Sequence, residues 1–316
     1  MVRGMALPAS RQPMHYWRGA DGIKIAGDWW GDPQGPLVIL QHGGGQTRHA
    51  WKGVGQKLGG AGYYAIALDT RGHGDSDWAP DGRYSLDAMV ADIQCVVADV
   101  GGRRPVLVGA SMGGGTSLLA VGEDHVDATA LVLVDIAPQI EMAGAEKILN
   151  FMGQSPGGFA SLEEVANAIA EFQPHRKRPD NLEGLAKNVR LYPDGRYRWH
   201  WDPVFHQQVR NLDDRHKRLE ACAQRLRLPT LLVRGGLSDV LSEEGAQAFL
   251  KICPHSEYVN VTDAGHMVAG DRNDIFGNAV IEFLSRKVPV DDNPVWSSHQ
   301  RTPHHEGPPG DTNDLP

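Results

Sequence analysis

The chain predicts an α/β fold: a mostly parallel, doubly wound sheet flanked by helices, with a helical cap inserted between two of its strands. Three observations carry that expectation. Short continuous apolar runs alternate with segments of helical period. One such run, residues 106–108, leads through Gly109-Ala110-Ser111-Met112-Gly113 into a helical stretch of small residues. The alternation also breaks once, between Pro138 and Leu228.

Taken in order, residues 14–18 and 23–30 read as two strands joined by Gly19-Ala20-Asp21-Gly22, a hairpin signal. Residues 37–41, 64–68, 106–108, 130–134, 230–233 and 257–261 are short apolar runs of the kind expected of strands buried on both faces. Helical patterns at 51–61, 85–100, 113–122, 243–251 and 274–286 lie between most of them. Such alternation implies right-handed crossovers with helices on both faces of the sheet. The interrupting segment is polar and helix-leaning, with candidate helices at 143–151, 162–172, 182–191 and 202–226. It also holds the aromatic cluster Tyr197-Arg198-Trp199-His200-Trp201, ahead of Pro203. The expected organisation is a core over 14–138 and 229–287, a cap over 139–228 and an N-terminal extension over 1–13. Residues 288–316 are rich in Pro, His, Asp and Gly, too poor in apolar side chains to fold, and are expected to form a disordered tail.

Composition narrows the function classes. The 316 residues suffice for one large core, or a core plus a subdomain. Hydrophobic content of 41% and charged content of 22% are those of an ordinary globular protein. A net charge of −8 argues against a nucleic-acid partner. Cys95, Cys222 and Cys253 are scattered, lack metal-ligand spacing and are expected to be reduced. No apolar stretch reaches membrane-span length, and the first ten residues carry no signal-peptide core, so a cytoplasmic location is expected.

The chemistry centres on Ser111. A serine on a tight strand-to-helix turn is lifted clear of the sheet, and its flanking positions must be nearly free of side chain, as Gly109 and Gly113 are. A serine hydroxyl needs a base, and the base needs an orienting acid. His266, in Asp263-Ala264-Gly265-His266-Met267, follows the last strand and precedes the last helix, and is the candidate base. Asp239, just past the 230–233 strand, is the favoured acid; Asp135, at the end of the 130–134 strand, is the alternative. The order Ser, Asp, His suits this kind of nucleophile. His42-Gly43-Gly44-Gly45 follows another strand, and the backbone N–H groups of Gly44 and Met112 are the candidate oxyanion donors, with Gly43 or Gly45 able to substitute. Asp69, Arg71 and His73, in the run 69–76, are read as structural.

Together these residues resemble the α/β-hydrolase superfamily, over about residues 14–286 apart from the cap. The loop at His42, the 69–76 run and the serine elbow are most similar to the capped branch, which includes haloperoxidase-like esterases and perhydrolases, epoxide hydrolases, haloalkane dehalogenases and carbon–carbon bond hydrolases. The epoxide and haloalkane enzymes use an aspartate at the elbow, and Ser111 argues against both. One departure stands out: the branch often has a bulky residue and then proline after His-Gly, where this chain has Gly44-Gly45. The resemblance implies a serine hydrolase that cleaves a small or medium carboxylic ester or lactone through an acyl-enzyme, acting on a small molecule with no cofactor and no metal. Alternatives are a carbon–carbon hydrolase of a vinylogous diketone, with Arg198 or Trp199 on its carboxylate, a perhydrolase, and a ligand receptor on the same fold. Trp199 and Trp201 are candidate substrate contacts, or cap packing. The sequence leaves the oligomeric state open.

Overall fold

A computed structural model describes residues 4–7, 12–174, 182–207, 212–266 and 273–290. Of residues 288–316, where a disordered tail is expected, 291–316 lie outside the described residues, as do parts of the N-terminal extension, whereas Val288 and Val290 pack against the core and Val288 O accepts from the Tyr63 hydroxyl.

Eight strands form the main sheet. They are β1 (His15–Arg18), β2 (Lys24–Trp30), β3 (Leu37–Gln41), β4 (Tyr64–Leu68), β5 (Val106–Ala110), β6 (Ala130–Val134) and, after a two-stranded ribbon of β7 (Val189–Leu191) and β8 (Tyr197–Trp199), β9 (Thr230–Gly235) and β10 (Glu257–Val261). The spatial order is β1-β2-β4-β3-β5-β6-β9-β10. β1 and β2 join antiparallel, as a hairpin must, and every pairing from β4 to β10 is parallel.

The continuous apolar strands face two cores by alternation. Ile39, Ile66, Leu107, Leu131, Leu133 and Leu232 point to one face, where α2 (Leu86–Asp99), α3 (Met112–Gly122), α6 (Leu212–Arg225) and α7 (Glu243–Ile252) cover them. Val38, Leu40, Val106, Val108, Val132 and Val233 point to the other, beneath α1 (Lys52–Gly60) and the last helix, α8 (Asn273–Lys287). The period-two alternation of side chains makes both layers from one run of residues. Each such side chain contributes about 1.5–3 kcal/mol by leaving water. Ser85 and Ser242 cap α2 and α7 through bonds from Ala88 N–H and Gly245 N–H, placing both starts where the sequence has a serine before an apolar-periodic run.

The segment between β6 and β9 contains helices α4 (Met142–Gly153) and α5 (Leu162–Phe172), followed by α6. Two expectations within it are corrected. Residues 182–191 are a short 3₁₀ helix, Leu182–Asn188, that runs directly into β7, and β7 pairs antiparallel with β8. The alternation Val189, Arg190, Leu191 against Tyr197, Arg198, Trp199 suits a ribbon, and a turn through Pro193-Asp194, closed by Gly195 N–H on Tyr192 O, joins its strands. Residues 202–226 are not one helix: Phe205–Gln207 is a single 3₁₀ turn, and α6 starts only at Leu212. Met5, in the N-terminal extension, bridges to Leu191 at the ribbon's edge.

No helix among the described residues is long and apolar enough to cross a membrane.

Candidate active site

Ser111 sits between β5 and α3 with φ 48° and ψ −112°, a conformation that L-residues rarely adopt. Its hydroxyl does not cap α3. The turn closes so tightly that a Cβ on Gly109 would lie 2.3 Å from Gly113 O, and one on Gly113 would lie 2.5 Å from Gln41 O. Side-chain-free residues at both places are therefore a steric demand of the elbow. Ser111 N–H donates to Val134 O on β6 at 3.0 Å, and one strand further on Asp135 N–H donates to Val233 O on β9 at 2.7 Å. The ladder of the parallel sheet thus carries past the strand ends into the site.

Asp135 is fully buried, also at positive φ (52°), and its carboxylate faces His266. His266 Nδ1 donates to Asp135 Oδ2 at 2.6 Å. A carboxylate can only accept, so the neutral ring carries its proton on Nδ1 and keeps the Nε2 lone pair free. Gly235 N–H donates to Asp135 Oδ1 at 2.8 Å, and the Ser238 hydroxyl donates to Oδ2. Ser238 Oγ in turn accepts from Val240 N–H and Leu241 N–H, which locks the loop after β9.

Asp239, the acid favoured from sequence, does not meet His266. Its half-exposed carboxylate pairs with Lys147 of α4 at 2.8 Å. The loop after β9 does reach the site, but the turn at Gly236-Leu237 delivers the neighbouring side chain, Ser238. Asp135, the alternative, occupies the position beside the imidazole. Ser238 was not anticipated; the Ser-Asp pair on an edge loop was its only signal.

The His42–Gly45 loop packs against the elbow, with an ideal Cβ on Gly43 lying 3.3 Å from Ser111 Cβ. Two of its N–H groups are committed: Gly43 donates to Gln46 Oε1 at 2.9 Å and Gly45 to His73 Nε2 at 3.2 Å. Gly44 has no such partner among the described residues. Met112 is the first residue of α3, so its N–H is one of those a helix leaves unused.

Three buried imidazoles brace this loop. His42 accepts from Thr70 N–H at 3.0 Å, and His200, from the segment between β6 and β9, accepts from Gly74 N–H at 2.8 Å. Adjacent rings lie 5.3 and 5.8 Å apart. Desolvation pushes all three below the ordinary histidine range, His73 to about 3, and keeps them neutral. Beneath them Arg48 pairs with Asp69 at 2.5 Å and with Asp75 at 2.8 Å, while Arg71 grips Asp92 through two bonds of 2.6 and 2.7 Å. Desolvation is the largest influence on Asp69 and opposes its charge, but Arg48, His42 and the N–H groups of Asp75 and Arg48 together outweigh it and hold the carboxyl below its usual range.

Trp201 and Trp199 stack with centroids 4.9 Å apart and planes at 13°. They differ in what they touch. Trp201 approaches the loop, its Cζ3 lying 3.5 Å from an ideal Cβ on Gly45, beside Met152 of α4. Trp201 Nε1 also donates to Met152 O at 3.1 Å. Trp199 lies edge-on to Phe159 and tilted against Phe151. Arg198 is held by Asp194 through two bonds and stacks over Tyr192, so its guanidinium is already satisfied. Among the described residues, no group of His, Cys, Asp and Glu is arranged to hold a metal ion.

Sheet order, elbow and histidine–aspartate pair define an α/β hydrolase, and residues 36–272 match the family model for the alpha/beta hydrolase fold: the chain belongs to that family. It is 30% identical over 253 residues to the esterase Rv0045c of Mycobacterium tuberculosis, covering 77% of this chain and 80% of that protein. It is 28% identical over 283 residues to the sn-1-specific diacylglycerol lipase ABHD11 of Mus musculus, covering 81% and 83%. An alpha/beta hydrolase from Novosphingobium aromaticivorans superposes with a TM-score of 0.73 at 25% identity, over 86% of this chain and 97% of that one.

Proposed function

We propose that the protein is a serine hydrolase that cleaves small or medium carboxylic esters through an acyl-enzyme. The observation that carries this reading is the 2.6 Å bond from His266 Nδ1 to the buried Asp135, at the same sheet edge as the strained Ser111. In this reading Ser111 Oγ attacks the ester carbonyl and His266 Nε2 takes its proton. Asp135 fixes the tautomer and stabilises the imidazolium that forms. The developing oxyanion lies between the N–H groups of Gly44 and Met112, since those of Gly43 and Gly45 are committed elsewhere. His266 then returns the proton to the leaving alcohol and activates a water to release the acid. The segment between β6 and β9 acts as a lid, with Met152 and Trp201 forming the wall above Gly44 and Gly45. The relatives named as an esterase and a lipase support ester chemistry.

A fluorophosphonate probe tests the reading directly. Wild type should be labelled at Ser111, and Ser111→Ala should fold normally while losing labelling and about 10⁴–10⁶-fold in turnover of p-nitrophenyl esters. Labelling elsewhere, or activity retained in the alanine variant, would refute it.

A further inference from the structure

Among the described residues, helix α6 carries one guanidinium with no counter-charge. Arg218 is matched by Asp87 and Glu123, and Arg225 by Asp124. Arg215 makes no hydrogen bond or ion pair with any described residue. Burial alone acts on it, pulling its pKa down, with no carboxylate to oppose the effect. The side chain is only partly buried, so the guanidinium is open to a ligand that brings the missing charge.

Its position gives the vacancy a meaning. Arg215 Nη2 lies 2.9 Å from an ideal Cβ on Gly115. Gly115 belongs to the first turn of α3, its N–H donating to Ser111 O at 2.9 Å. The guanidinium is thus beside a residue one helical turn, about 6 Å along the axis, from the nucleophile. α6 runs alongside α3 in the same direction, for Gly115 faces Arg215 and Leu219 while Gly122 faces Cys222. The unpaired arginine therefore stands at the serine end of α3.

The three glycines at 113–115 are not equivalent. A Cβ on Gly113 would strike Gln41 backbone, and one on Gly114 would strike Ile136 and Gly109. At Gly115 the only atom closer than 3 Å would be Arg215 Nη2; the other neighbours lie at 3.8 Å. Glycine disfavours a helix interior. At this position the guanidinium tip is the atom a Cβ would displace.

We propose that Arg215 forms an anion subsite beside Ser111, and that the preferred substrates are esters carrying a carboxylate a short methylene chain away from the scissile carbonyl, such as half-esters of dicarboxylic acids. This rests on the serine-hydrolase reading above. A guanidinium takes a carboxylate through two parallel N–H···O bonds, which fixes orientation as well as charge. The N-terminal dipole of α3 acts in the same sense.

The test compares mono-p-nitrophenyl glutarate with p-nitrophenyl pentanoate. Wild type should favour the anionic ester in kcat/KM by at least about tenfold, and Arg215→Met should reduce that ratio by about tenfold or more. Arg215→Lys should keep part of the preference, and Gly115→Ala, which displaces the guanidinium, should lower it. A wild-type ratio at or below one overturns the proposal, as does an Arg215→Met variant in which both esters slow by the same factor. Titrating glutarate into the Ser111→Ala protein separates the two readings. Glutarate that binds, and is lost with Arg215→Met, upholds the subsite even where no ester turns over. Esters that turn over with no glutarate binding uphold the hydrolase and sink the subsite.

Discussion

Asp135 Oδ2 lies 2.6 Å from His266 Nδ1, across 131 residues of chain. The partners are a residue at a strand end, buried at positive φ, and a histidine on the loop after β10. Replacing the acid keeps the ring's shape but removes its acceptor and scrambles its tautomer. Asp135→Asn should lower kcat on a p-nitrophenyl ester by about 10⁴-fold. Asp239→Asn, which breaks only an exposed pair with Lys147, should stay within about threefold of wild type. Steady-state kinetics on both variants decides the matter, and the opposite ranking would return the role to Asp239.

Ser238 steadies that acid. Ser238→Ala removes a bond to a carboxylate and frees the loop held by Val240 and Leu241. A bond to a charged group contributes about 1.5–3 kcal/mol. We expect kcat to fall about tenfold or somewhat more with KM little changed, and Ser238→Thr to restore most of it. A fall confined to KM would mean that the hydroxyl serves substrate binding instead.

The two stacked tryptophans should separate in their phenotypes. Trp199→Ala and Trp201→Ala each empty a buried site and should cost about 3–5 kcal/mol in urea unfolding. Only Trp201 reaches toward Gly45, so only its loss should shift the acyl-chain preference across esters from acetate to octanoate. An unchanged profile in Trp201→Ala would make both residues packing alone.

The buried imidazoles predict an acid-sensitive fold. His42, His73 and His200 have folded pKa values below 6.5, so their contribution is complete above pH 6.5 and is lost as pH falls from there toward the folded values, about 3 for His73. Each unit of pH in that window removes about 1.4 kcal/mol per imidazole. Between pH 6 and 5, where carboxylates still hold their charge, unfolding free energy should drop by about 1 kcal/mol through His73 alone, with His42 and His200 adding in the same direction. A flat stability profile over that unit would show that these rings are not held neutral.

Much of this was legible in the chain. The apolar runs located six of the eight main strands because strands buried on both faces leave continuous signals, a hairpin signal located the first two, and Gly109 and Gly113 marked the elbow because only glycine fits there. The acid was harder. Asp135 and Asp239 both follow strands that end on one edge, and which one turns inward depends on a loop of a few residues whose direction leaves no periodic trace. The ribbon of β7 and β8 was missed for a related reason: three residues per strand is too short a run for alternation to stand out from a helical pattern. Arg215 could not be singled out at all, since an arginine on a polar helix looks the same whether or not a carboxylate awaits it.

The bonds from Ser111 N–H to Val134 O and from Asp135 N–H to Val233 O have a mechanical consequence. Ser111 and Asp135 are fastened to the rungs of the central sheet, so neither can loosen before the sheet itself comes apart. Warming should therefore find the weak point at His266, the one partner carried on a loop: turnover would fade while Ser111 and Asp135 still hold their places.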